Sequence, residues 1–189
     1  MPPKSRVSRA QILAAAVELV RRAGADALNA RDLAEALGCS TQPIFSNFAT
    51  MDALRAAVLA EAQSLANRAV DEEIARGEFP PYKAAGMAYI RFAAEERQLF
   101  LLLYMRDRSG EVIPESTPEL EAMTGTVARA LGLSHEAARL FHLEMWIFVH
   151  GVAAMIASRY LAWDRALVSR MLTDAYQGLV RRFTEKEHS

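Results

Sequence analysis

One cysteine, Cys39, stands among 189 residues. That count excludes an internal disulfide and fits a reducing compartment. The thiol can serve as a redox sensor or as a small buried apolar filler, and filler is the commoner use. Runs of period-two alternation are missing as well, which excludes a sheet as the main framework. No stretch approaches 18 consecutive apolar residues, and MPPKSRVSRA has no apolar segment behind its charges. The expectation is therefore a cytoplasmic protein that makes no use of the membrane. Catalytic signatures are absent too. There is no Gly-x-Ser-x-Gly, no phosphate-cradling glycine loop, no His-Glu-x-x-His and no cysteine pair, so neither an enzyme nor a bound cofactor is expected. The adjacent acids Glu72–Glu73 and Glu95–Glu96 diverge around a helix and read as solvated faces. His142 and His150 fall on one helical face, but about 12 Å apart at 1.5 Å per residue, too far to ligate one metal ion.

No charge of one sign dominates either, since the formal net charge is −1. Splitting the chain is more informative. Residues 1–55 hold seven bases (Lys4, Arg6, Arg9, Arg21, Arg22, Arg31, Arg55) against five acids (Glu18, Asp26, Asp32, Glu35, Asp52), which leaves +2 there and −3 on the rest. Three of those bases lie within residues 1–9 with no acid among them, a composition suited to an arm near phosphates.

What the chain has is helix. Hydrophobic residues make up 52% and charged ones 24%, ordinary for a globular protein, and the apolar positions recur at three and four. The reading is all-α with about nine helices. A first helix runs from after Ser8 to Ala23, with Ile12, Leu13, Ala16, Val17, Leu19 and Val20 inward and Gly24 ending it. A fourth begins at Thr50 and reaches about Arg76. GEFPP (77–81) is a hard break, and helices over 82–104 bend at Glu95–Glu96–Arg97–Gln98. Residues 106–118 form a long polar loop of the kind that acts as a lid or mobile segment. Helices over 118–131, from Ser134 to about Arg159, and from Trp163–Asp164 to about Thr184 complete the chain, the last with Leu167, Val168, Leu172, Tyr176 and Phe183 among its inward residues and a frayed tail TEKEHS.

Residues 29–48, NARDLAEALGCSTQPIFSNF, are the most informative stretch. Asn29 caps a helix, with Asp32 placed to answer it. Gly38 breaks that helix through a left-handed conformation. Ser40 caps a second helix with Ile44, Phe45 and Phe48 on its apolar face and Pro43 in its first turn. Helix, glycine turn and capped helix make a helix-turn-helix, which lays its second helix in the DNA major groove; an ordinary αα-hairpin has the same outline.

The flanking residues decide between them. Gly24, Asn29, Ala34, Gly38, Ser40, and Phe45 with Phe48 fall, without gaps over residues 8–59, where the N-terminal pattern of the TetR family of bacterial transcriptional regulators places them, and the chain resembles that family. Trp146, His150 and Gly151 give W-x-x-x-H-G, similar to the signature of the family's WHG C-terminal subgroup. The resemblance implies a helix-turn-helix DNA-binding domain at 1–55, followed by a ligand-sensing and dimerisation domain at 56–189. It implies a homodimer on a palindromic double-stranded operator, most often as a repressor, with a small-molecule effector altering the separation of the two heads. Where the family often carries Tyr, then His or Tyr, then Lys, this chain has Phe45, Asn47 and Met51. Phe45 and Met51 lose a donor and a cation, so the alternative is a helical sensor with weakened or lost DNA binding.

Within that frame Thr41, Gln42 and Ser46 are candidates for reading bases, with Gln42 suiting adenine, Pro43 a thymine methyl, and the Phe45 ring either a sugar or a thymine methyl. Ser40 belongs to the same surface. Lys4, Arg6, Arg9, Arg31, Asn47 and Thr50 are candidates for phosphates. The large groups of the helices over 82–104 (Met87, Phe92, Phe100, Tyr104), with His142, Trp146 and His150, are candidates for lining an apolar effector cavity, or else plain core. Gly151, Ala154, Ala157 and Ser158, with the Leu/Met/Tyr stripe of the last helix, suggest a four-helix interface between two subunits, or else close packing within one.

Overall fold

Most helix boundaries are set by capping groups visible in the sequence. Ser8 Oγ accepts the Gln11 N–H while the Gln11 side chain takes the Ser8 N–H, a full capping box, and Gly24 (φ 87°) ends the helix. Asn29 Oδ1 accepts the N–H groups of Arg31 and Asp32. Thr50, Thr117, Ser134 and Asp164 likewise accept from the N–H three residues on. The computed structural model describes residues 7–109 and 117–186. Among the described residues there are nine α-helices and no strand: α1 Arg9–Ala23, α2 Ala30–Ala36, α3 Gln42–Asn47, α4 Met51–Ala75, α5 Pro81–Glu95, α6 Arg97–Tyr104, α7 Pro118–Leu131, α8 His135–Ala157 and α9 Arg165–Lys186, with a 3₁₀ turn at Ala25–Ala27. The all-α reading holds, and the bend expected near residue 96 is a break at Glu96 itself.

Two compact units divide the chain. The first takes the N-terminal residues to Arg68 together with Glu96–Arg106. Here α1 packs against α2, α3 and α6. Ile12, Val20, Leu33, Ile44, Phe48, Leu54, Leu99 and Phe100 are sealed from solvent in it. The second takes Ala69–Glu95 and the residues from Asp107 onward, and α8 is its centre, packed against α5, α7 and α9.

Several local expectations are corrected. Ser40 does not cap α3; Thr41 occupies that position in helical conformation, with no side-chain bond to the helix. Asp32 takes the Asn29 side-chain amide (2.8 Å) and leaves the Asn29 backbone N–H alone. Leu167, expected inward, is exposed, and Ala157, expected on the outer small-residue stripe, is buried. Helix α9 continues through Lys186, so the tail is helical up to there. The expected lid at 106–118 falls largely outside the described residues.

The acidic pairs are the largest correction. Glu73 is not solvated: it is buried, and Arg165 Nη2 donates to its Oε1 at 2.8 Å. Arg76 and Arg91 stand 3.5 and 3.6 Å from its Oε2, and Arg165 also bonds Glu78. One carboxylate thus ties the end of α4 to α5 and α9. Glu96 is half-buried and accepts from Arg21 Nε at 2.7 Å, which fixes α6 on α1. Glu73→Ala should lower the free energy of unfolding by about 3 kcal/mol, the cost of breaking a buried pair. Glu72→Ala, at an exposed position, should stay within about 0.5 kcal/mol. Urea titration followed by far-ultraviolet circular dichroism compares the two, and equal small losses would mean that the network contributes nothing.

Candidate nucleic-acid interface and sensor unit

Six residues cannot hold a helix by themselves, because isolated helices shorter than about 12 residues are marginal in water. Helix α3 exists because Ile44 and Phe48 are buried beneath it at 0% and 1% exposure. The turn before it is a closed device. Gly38 adopts φ 62°, its N–H bonds the Glu35 carbonyl, and the Cys39 N–H bonds the Ala34 carbonyl, the paired bonds of a Schellman motif. Cys39 is half-buried there with a free thiol.

The far end of α3 is pinned from α1. Arg9 Nη1 donates to the Asn47 carbonyl at 2.6 Å, and the Arg9 guanidinium lies 3.8 Å over the Phe48 ring. Asn47 Nδ2 donates to the Pro43 carbonyl at 2.8 Å and reaches the Val7 carbonyl at 3.5 Å. Both residues were candidates for phosphate contact, and both are engaged in holding the head together. Thr50 Oγ1 caps α4. Arg31 is exposed on the first turn of α2, Ser40 is exposed in the turn, and Lys4 and Arg6 lie outside the described residues. Thr41, Gln42, Phe45 and Ser46 are exposed on α3 and its cap, while Pro43 is half-buried. Phe45 leaves 47% of its surface open to solvent, although it was expected on the helix's apolar face.

The seven candidate sensor residues fall in both units. Phe100 and Tyr104 belong to the first, their rings 5.1 Å apart, and burial pushes the Tyr104 phenol up while a bond to Gln63 opposes it. Met87, Phe92, His142, Trp146 and His150 belong to the second. Met87 and Phe92 are core residues of α5, and Trp146 is 46% exposed, stacked on His150 with 5.2 Å between rings. Sequence reasoning gave these histidines no partners, yet each has a tyrosine. Tyr82 Oη lies 2.9 Å from His142 Nδ1, and Tyr89 Oη lies 2.9 Å from His150 Nδ1. A signal was available: the tyrosines are seven apart on α5 and the histidines eight apart on α8, matched spacings on two helices that pack together. Among the described residues no cluster of His, Cys, Asp or Glu could hold a metal ion.

Burial pushes both imidazoles below the usual 6.5, and it pushes the Tyr82 phenol up. Both histidines therefore stay neutral in the folded chain at a pH where the unfolded chain takes up protons. The unfolded state binds more protons below about pH 6.5, so stability is complete above that value and declines as pH falls through it. The thermal midpoint should drop between pH 7.5 and 5.5, and His142→Gln should shrink the drop. Parallel curves for the two proteins would remove His142 from the account.

With this geometry in view, comparison with known proteins is specific. Residues 12–58 match the family described as "Bacterial regulatory proteins, tetR family", and residues 82–176 match "Tetracyclin repressor-like, C-terminal domain". The molecule is a helix-turn-helix DNA-binding transcriptional regulator, of a class that is not enzymatic. The chain belongs to the TetR family. None of the curated proteins matches it. A solved structure of a protein with unknown function from Rhodococcus sp. RHA1 is similar, with a TM-score of 0.71 at 23% identity over 96% of this chain and 98% of that one. That likeness concerns the fold alone.

Proposed function

We propose that the chain is a homodimeric repressor, released from a palindromic operator by a small apolar molecule. Residues 1–55 would carry the DNA contacts, and the remainder sensing and dimerisation. The observation that carries the DNA half is the outward face of α3, where Thr41, Gln42, Phe45 and Ser46 stand clear of a sealed three-helix core. A single short reading helix gains little from counterion release, whereas two heads on half-sites about 34 Å apart give usable affinity.

Dimerisation is supported by α8. Leu140, Leu143, Ile147 and Met155 are all exposed at helical spacing, with Gly151, Ala154 and Ser158 along the same side. This helix is long and apolar enough, by length and composition alone, to cross a membrane, yet only 39% of its most apolar window is buried. Two apolar faces explain that composition, one turned to α5 and α7 and one awaiting the same helix of a second copy. Ile147→Glu should convert a dimer into a monomer in sedimentation velocity at micromolar concentration, without loss of helicity. A wild-type chain that already sediments as a monomer ends this proposal. The stacked Trp146–His150 pair, with Gly151 open beside it, also supports a place near the WHG subgroup.

The effector's apolar character is supported by the aromatic and methionine richness of α5 and α8. A thermal-shift screen of small apolar compounds should find ligands that raise the midpoint, and a screen without stabilisers counts against it. Phe45, Met51, and the engagement of Arg9 and Asn47 within the head favour the alternative, a sensor with weakened DNA binding. Fluorescence anisotropy on the region upstream of the chain's own gene at low salt separates the two. Specific binding supports the repressor, and binding no tighter than to unrelated duplex supports the sensor.

A further inference from the structure

The outward face of α3 has a chemical bias narrower than DNA binding in general. Gln42, Phe45 and Ser46 lie at i, i+3 and i+4, so they share one strip, and all three are exposed. None is charged. No Lys or Arg occurs anywhere between Arg31 and Arg55. Of the cations near the helix, Arg9 is bonded to the Asn47 carbonyl and stacked on Phe48, and Arg55 pairs with Asp52 at 2.9 Å.

Guanine offers two acceptors, O6 and N7, to the major groove, and its commonest reader is a bidentate Arg or Lys. Helix α3 presents neither. Gln42 has a donor and an acceptor on one planar amide, the pattern that matches adenine N7 and N6–H. Ser46 donates its hydroxyl proton to the Gln42 carbonyl at 2.9 Å, so outward it presents lone pairs, which suit an amino group and not guanine O6. Phe45 has only apolar surface to offer, and the one apolar group on the major-groove edge of a base pair is the 5-methyl of thymine. Gln42 and Phe45 are about 4.5 Å apart along the helix axis, comparable with the roughly 3.4 Å step between stacked bases.

We infer that α3 selects an A·T step, with Gln42 on adenine N6 and N7 and Phe45 packed on the methyl of a neighbouring thymine, and that no guanine is read by this helix. The inference rests on the DNA-binding reading above and adds the class of base. Its test uses the full chain. A random-centre duplex library is selected for binding, and the recovered half-site is remade with deoxyuridine in place of thymine at the A·T step. Affinities of wild type, Gln42→Ala and Phe45→Ala are then compared by fluorescence anisotropy. Both substituted side chains are exposed, so the variants should keep the wild-type melting curve.

Removing the methyl should weaken wild type about fourfold, the worth of one buried methyl group, and leave Phe45→Ala unaffected. Gln42→Ala should relax preference for the adenine about tenfold. The inference is overturned if the positions that respond to either variant are G·C pairs. It is equally overturned if deoxyuridine binds wild type as well as thymine does. A library from which no duplex is enriched removes the DNA-binding reading itself, and the base assignment with it.

Discussion

The burial of Ile44 and Phe48 beneath a six-residue helix is the constraint on which the N-terminal unit depends. Each fully buried side chain of that size contributes about 1.5–3 kcal/mol, enough to offset the unfavourable nucleation of so short a segment. The same burial fixes the rotation of α3. Once Ile44 points inward, Gln42 and Ser46 fall on the opposite face and Phe45 on the flank, 47% exposed whatever its hydrophobicity. Phe45 is exposed by geometry, and its exposure says more about function than about packing. Arg9 completes the arrangement by covering Phe48 with its guanidinium and satisfying the carbonyl of Asn47, one of the acceptors a helix end leaves open. A cation placed near the N-terminus thus holds α3 in place from α1.

In the second unit the corresponding constraint is electrostatic. A buried carboxylate is tolerable only when it is paired, and Glu73 has Arg165 at hydrogen-bond distance with Arg76 and Arg91 close behind. Arg165 opens α9 and Arg91 belongs to α5, so one ion cluster sets the register of three helices. Along α5 and α8 the two tyrosine–histidine bonds repeat the same solution with neutral groups, since burial disfavours the charged imidazole.

Legibility in the sequence followed the range of the interaction. Helix boundaries, the glycine turns at Gly24 and Gly38 and the capping residues were readable because each bond spans three to five residues. Glu73 and Glu96 were misread as solvated because adjacency says nothing about partners 92 or 75 positions away. Ser40 was misread because it and Thr41 are equally good caps by type, and the choice between them is made by the burial of Ile44 and Phe48. The pairing of Tyr82 with His142 and Tyr89 with His150 lay between these cases. Its spacing was present in the sequence, but the packing of α5 on α8 was not.

Helix α8 shows how a single composition can carry two meanings. Its inward residues, Phe141, Met145, Val149, Val152 and Ile156, already satisfy the needs of a core helix. Leu140, Leu143, Ile147 and Met155 are surplus to that need. A helix that is apolar all round must be covered on both sides, by protein or by lipid. Glu144 stands beside this stripe, and Arg182 bonds it through two short contacts, so an ion pair borders the apolar surface. Hydrocarbon would disfavour the partly exposed Glu144–Arg182 ion pair beside this surface, a cost that a protein or water neighbour does not impose. The apolar surplus on α8 is therefore better accounted for by protein than by membrane.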